Sequence, residues 1–320
     1  MSQTKVTAER LQPEPLPDNL KSVQPGGGFC YQIELAWGRY RRWYLTRFRH
    51  AYVQRMAALR FGDSAGAPHA VLDPRDLKYC RNQCTADWLE ADDPFAWRGR
   101  IGFARWGLAE LQLMAYPLLA LTVGLALTWW YLAVVPAVLL GLIVYFFRDP
   151  YRPLPSDLAA LVAPCDGTVA EVTAVEHDEY IGGPAMRIGI FLSIFNVHIN
   201  RMSIRARVIR LRYSPGLFLN ALNPESTIRN EFLWIGLEEE AAPHRRIVVR
   251  QIAGLIARRI VCGLRSGEVV ERGAKFGMIK LGSRTELIVP IEPGLRVLVV
   301  VGEKVRGGST PVARYETVDS

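Results

Sequence analysis

No charged residue falls between Glu110 and Arg148. A stretch that long and that apolar cannot be a surface loop, and about 18 uncharged apolar residues are enough for a membrane segment. At about 1.5 Å per residue, a helix over 111–147 would cross a hydrocarbon core of about 30 Å nearly twice. Pro117, Gly124 and Pro136 interrupt the run, and Trp129-Trp130-Tyr131 sits near its middle. Trp and Tyr concentrate where a bilayer meets water. Arg98, Arg100 and Arg105 precede the run, and Arg148 and Arg152 follow it. Basic flanks on both sides place both ends on the cytoplasmic face. The expected form is a helical hairpin with the Trp pair at its turn. One tilted span is the rival, and a buried helix of a soluble core is the bland alternative.

The flanks differ in character. Residues 1–37 read as a disordered tail, with Pro13, Pro15, Pro17 and Pro25 and a Gly26-Gly27-Gly28 run in a segment too polar to offset chain entropy. That stretch carries no signal-peptide pattern. Residues 38–100 read as a basic, partly helical extension. Arg39, Arg41, Arg42, Arg47, Arg49, Arg55 and Arg60 alternate with Tyr40, Trp43, Tyr44, Phe48, Tyr52 and Met56. Such a helix suits an anionic membrane surface. The alternative is a basic helix packed on its own protein. The formal net charge of +8 favours anionic partners. No zinc-finger or RNA-binding signature argues for nucleic acid. Five scattered cysteines make no disulfide framework. Cys80 and Cys84 share a helical face, but no second ligand pair accompanies them, so no metal is expected.

After Pro155 the period changes. Short Val- and Ile-rich runs at 167–175, 186–194, 208–213, 246–252, 260–264 and 296–301 alternate with Gly, Pro and Asn, as strands bounded by turns do. The chain therefore reads as α+β: a membrane-associated helical hairpin over 101–152, preceded by the basic N-terminal extension and followed by a β-rich domain over 153–320.

Three segments of the β-rich part carry possible chemistry. Ala163-Pro164-Cys165-Asp166-Gly167-Thr168-Val169 holds an Asp-Gly pair, which alone reads as a turn. Phe191-Leu192-Ser193-Ile194-Phe195-Asn196-Val197-His198-Ile199-Asn200-Arg201 ends an apolar strand on one histidine, more often structural than catalytic when it stands alone. Phe276-Gly277-Met278-Ile279-Lys280-Leu281-Gly282-Ser283-Arg284-Thr285-Glu286-Leu287 holds a Gly-Ser pair that is not a nucleophile elbow.

Taken together, and in this order, the three segments resemble the phosphatidylserine decarboxylase family. The Arg284 after Ser283, the Phe-Asn-Val-His-Ile-Asn-Arg string and Phe146-Phe147-Arg148-Asp149-Pro150 are similar to the short bacterial and archaeal subgroup. Asn220, Asn230 and Glu231 also fall where that subgroup has such residues. The resemblance covers about residues 111–310 and leaves the first hundred outside.

The resemblance implies a self-processing membrane enzyme with a catalytic β-rich domain. His198 would take the proton of Ser283, and Asp166 would hold the imidazole in the right tautomer, the logic of a Ser-His-Asp triad inside one chain. The serine oxygen would attack the Gly282 carbonyl. The resulting ester would eliminate to leave dehydroalanine, and its hydrolysis would release ammonia and leave a pyruvoyl group on residue 283. A β subunit (1–282) and an α subunit (283–320) would stay together. The covalent pyruvoyl, the cofactor, would form a Schiff base with the amine of phosphatidylserine and accept the electrons left by CO₂, as pyridoxal phosphate does elsewhere. Relatives often carry a second histidine where this chain has Phe195, which leaves His198 as the named proton donor. Lys280, Arg284 and Arg201 are the candidates for the lipid phosphate. The implied place is the cell membrane, with the catalytic domain on the cytoplasmic side.

Two rivals stand beside this reading. A membrane serine hydrolase could use Asp166, His198 and Ser283 without cutting itself. A non-enzymatic carrier could present Lys280, because Gly302-Glu303-Lys304-Val305-Arg306-Gly307-Gly308 resembles the glycine-rich turn of lipoyl-type domains.

Overall fold

The structure, a computed structural model, describes residues 10–220, 223, 225–255, 259–280 and 283–316. It divides into two compact units, one of 27–151 with 194–198 and one formed by the rest.

In the first of these, helices α1 (Phe29–Phe48) and α2 (His50–Leu59) are followed by short turns. A small core of Met56, Val71, Leu77, Cys80, Cys84, Ala86 and Trp88 holds this region together. Arg41 and Arg42 of the basic helix pair with the buried Asp76, and Arg75 pairs with the buried Asp73. Part of the basic stretch is thus held by its own protein, while Trp37, Tyr40, Trp43, Tyr44 and Phe48 remain exposed.

Helices α3 (Leu108–Thr128) and α4 (Val134–Phe146) occupy the apolar run. The break between them falls at Trp129, not at a proline. Pro117 lies inside α3. Pro136 is the third residue of α4, within the first turn, where a backbone N–H has no partner to lose. The two ends meet: Ala104 N donates to Phe147 O (2.8 Å) and Asp149 N to Gly102 O (2.7 Å). The stretch from Arg105 to Thr128 is long and apolar enough to cross a membrane, and that of α4 is shorter. Both helices expose most of their large apolar side chains, Leu121, Leu127, Val135 and Leu142 among them.

The second unit is β-rich. Its strands are β1 (Ala160–Val162), β2 (Gly167–Asp178), β3 (Gly183–Leu192), β4 (Ile199–Arg201), β5 (Ala206–Ser214), β6 (Phe232–Glu239), β7 (Arg246–Ile252), β8 (Ile260–Cys262), β9 (Val269–Val270), β10 (Lys275–Ile279), β11 (Ser283–Pro290), β12 (Leu295–Val297), β13 (Lys304–Val305) and β14 (Pro311–Tyr315). Eight form one sheet in the order β13-β2-β3-β11-β7-β6-β5-β9. Two small sheets, β4-β10-β8 and β1-β14-β12, accompany it. The core lies among Ile190, Leu192, Leu233, Ile235, Val249, Ile260 and Leu287.

Residues 10–24 are not the disordered tail expected from composition. Leu20 is part of the main core. Glu14 N donates to Ile209 O (2.7 Å), and Leu11 N to Glu238 Oε2 (2.7 Å). Val23 O accepts from Cys262 N (2.9 Å). The prolines make this possible, because they fix φ and reduce the entropy lost when an extended arm is ordered.

Candidate active site

Ser283 is the first residue of β11, the central strand that pairs with β3 on one side and β7 on the other. It sits opposite Leu192 and is fully buried. Its Oγ has no hydrogen-bond partner among the described residues. A buried hydroxyl without a partner is costly. Leu281 and Gly282 lie outside the described residues, so the expected cleavage bond is seen from its serine side alone.

Two residues on, Thr285 Oγ1 accepts from Asn200 Nδ2 (3.1 Å), and Asn200 Oδ1 accepts from Gln251 Nε2 (2.8 Å). Side chains alternate along a strand, so Ser283 and Thr285 share the face that meets β4 and β8. Arg284 is on the opposite face, where it pairs with Glu171 and with Glu286.

Asp166 is also buried, at a bend just before β2. The Asp-Gly pair is not a hairpin turn. Gly167 starts the strand, and an added Cβ would lie 2.3 Å from Phe191 O. Asp166 Oδ1 accepts from Gly307 N (2.8 Å), and Oδ2 accepts from Arg152 Nη2 (2.5 Å). Arg201 N donates to Pro164 O (2.8 Å), which braces the same bend. Cys165 beside it is fully buried, and burial pushes its thiol up, so it is no thiolate nucleophile at neutral pH.

His198 belongs to the other unit, in the 194–198 segment. Its Nδ1 lies 2.9 Å from Asn196 O. That carbonyl accepts the Nδ1 proton in the tautomer that keeps the lone pair on Nε2. The ring packs on Phe146, with centroids 4.4 Å apart. Burial, with the Arg148 charge as a smaller cause, lowers its pKa to about 4. The imidazole is therefore neutral at physiological pH. Arg148 Nη2 donates to Phe195 O (2.8 Å), which holds the segment in place.

Comparison with known proteins follows the same residues. The family model described as phosphatidylserine decarboxylase matches residues 139–313. The chain belongs to the phosphatidylserine decarboxylase family. It is 50% identical over 240 residues to a phosphatidylserine decarboxylase proenzyme of Rhodopirellula baltica, covering 75% of this chain and 99% of that one. Proteins of the same name from Carboxydothermus hydrogenoformans (41% over 196 residues, 61% and 90% covered) and Salinibacter ruber (42% over 183 residues, 57% and 79% covered) are also similar.

Within this decarboxylase-family chain the three expected phosphate contacts separate. Arg284 is held by two carboxylates on the face away from Thr285, which removes the reason for giving it the phosphate. Lys280 is buried and donates to Gln24 Oε1 (3.1 Å). Arg201 is buried, with Nη1 near Gly273 O (3.3 Å).

Sequence reading missed Arg152 and Arg148, which it took as charge flanking an apolar run, although one meets Asp166 and the other the His198 segment. It also missed the Asn196 carbonyl, a backbone atom that no motif names.

Proposed function

We propose that this chain is a phosphatidylserine decarboxylase that cuts itself before Ser283 and converts the new N-terminus into a pyruvoyl group. The observation that carries the reading is the buried Ser283 Oγ, unpartnered among the described residues, at the start of the central strand. His198, neutral at working pH, takes the Ser283 proton through Nε2, while the Asn196 carbonyl keeps the other nitrogen protonated. Asp166, which is paired with Arg152 and Gly307 N, is the acidic residue proposed for the same step. The serine oxygen then attacks the Gly282 carbonyl, and the peptide bond gives way to an ester. The orphaned hydroxyl, on a strand fixed from both sides, fits a site where residue 283 becomes the reactive group. The pyruvoyl supplies an electrophilic carbonyl that binds the headgroup amine and accepts the electron pair left by CO₂. Lys280 and Arg201 are the residues offered to the lipid phosphate, and the fragments 1–282 and 283–320 stay paired through β11, which lies between β3 and β7.

The purified protein should convert phosphatidylserine in detergent micelles to phosphatidylethanolamine with release of CO₂. Release of free serine or fatty acid, with no CO₂, would favour the hydrolase instead.

The α3–α4 hairpin is proposed as the membrane anchor. Its exposed apolar faces need a partner that is not water, and its two joined ends would leave the bilayer on one side, the cytoplasmic side by the flanking arginines. The exposed aromatics of α1 suit the headgroup level. The protein should stay with membranes through a high-salt wash and come off in detergent, because salt screens charge but does not extract a buried apolar segment. Release by salt alone would exclude the inserted hairpin.

A further inference from the structure

Glu231 lies just before β6 and is only 4% exposed, yet its Oε1 has no hydrogen-bond partner among the described residues. Leaving a carboxyl oxygen without a partner in the interior is costly. Its position in the sheet suggests its use. Arg284 pairs with Ile252, and Ile252 with Phe232. One step along the same register, Ser283 falls opposite Ala253 and Ala253 opposite Glu231, whose O accepts from Ala253 N (2.9 Å). The three residues share a row. By alternation from Thr285, Gln251 and Leu233 they share the face that meets β4 and β8. The middle one, Ala253, has almost no side chain to block the way.

Strand spacing puts the Glu231 and Ser283 Cα atoms about 10 Å apart. Both side chains rise from the same face of the sheet, on either side of the small Ala253. Above the carboxyl runs the N-terminal arm, with bare backbone at the contact: a Cβ on Gly26 would lie 3.0 Å from Oε1. Gln24 of the same arm holds Lys280.

We propose that Glu231 receives the amino end of the serine headgroup beside Ser283 and takes one proton from its ammonium, so that the amine arrives with a lone pair. This rests on the reading of Ser283 as the reacting residue. An N–H bond breaks and a carboxyl O–H forms, with no change in total charge. The proton returns to the product amine as it leaves. Burial raises the Glu231 pKa to about 7, with Arg259 opposing, which suits a group that must take and return a proton near neutrality. Among the described residues, the charged and titratable groups around it are Arg259, before β8, and Tyr213 on β5.

The test compares processed wild type with Glu231→Gln, both mixed with phosphatidylserine vesicles and cyanoborohydride. The readout is the mass added to the small fragment between pH 5.5 and 9. Wild-type capture should rise through about pH 7. Glu231→Gln should cut itself normally, capture the lipid at least about tenfold more slowly at pH 8, and show no step near 7. Capture at the wild-type rate with an unchanged profile would overturn the proposal. If Glu231→Gln does not fold or cut, Glu231→Asp decides: slower capture with the step retained supports the role, and a flat profile refutes it. An uncut wild type would overturn the reading of Ser283 first, and this one with it.

Discussion

Ser283→Ala leaves the chain in one piece, with no small fragment at any incubation time and no decarboxylation. Alanine has no oxygen to attack the Gly282 carbonyl, so the loss is complete rather than partial. The fold should not suffer. The Ser283 hydroxyl is buried without a partner among the described residues, so its removal breaks no hydrogen bond to them and relieves a desolvation penalty of about 1–3 kcal/mol. The variant should melt at or above the temperature of an uncut wild-type sample. A gel of wild type and variant, with a melting curve for each, checks both halves. Cleavage in Ser283→Ala would remove the serine from the mechanism.

His198→Ala should slow self-cleavage by about 10²–10⁴-fold, the usual contribution of a positioned base. The substitution also removes a ring packed on Phe146, so the melting temperature must be read beside the rate. The pH profile separates the two effects. Burial lowers the imidazole pKa to about 4, and a depressed histidine pKa has a definite sign. The neutral form is favoured in the folded chain, and its contribution to stability is fully present above the unfolded value of about 6.5. That contribution fades as pH falls from there towards the folded pKa. Wild-type cleavage should therefore be flat between pH 8 and 6 and fall only below about 5. A rate that halves near pH 6.5 would show that His198 is exposed to solvent when it acts.

The large elements were legible because their patterns are periodic and their chemistry is local. The run 111–147 could only be apolar helix, and the Val- and Ile-rich segments after Pro155 are strands; 246–252 is observed as β7 with the same bounds. The expected strand at 296–301 is shorter, since β12 ends at Val297. The N-terminal arm was not legible. Its anchors Leu11, Leu16 and Leu20 follow no helical or strand period, and its prolines read as disorder although they stiffen an extended segment that packs. Asp166, His198 and Ser283 were singled out by the order of three motifs that resemble the family. Their surroundings were not legible: Arg152 reaches Asp166 across 14 positions, and Glu231 reaches the row of Ser283 only through the register of three strands. Arg284 looked like a free cation in sequence, and only the fold brings Glu171, far away in the chain, against it.

The mass of the purified, intact protein tests the central claim most directly. The account predicts two species, residues 1–282 and residues 283–320. The smaller should be lighter than a fragment beginning with serine by the mass of one ammonia, and it should resist N-terminal sequencing. A single species with the mass of the whole chain after long incubation, or a small fragment that begins with an ordinary serine, would contradict it.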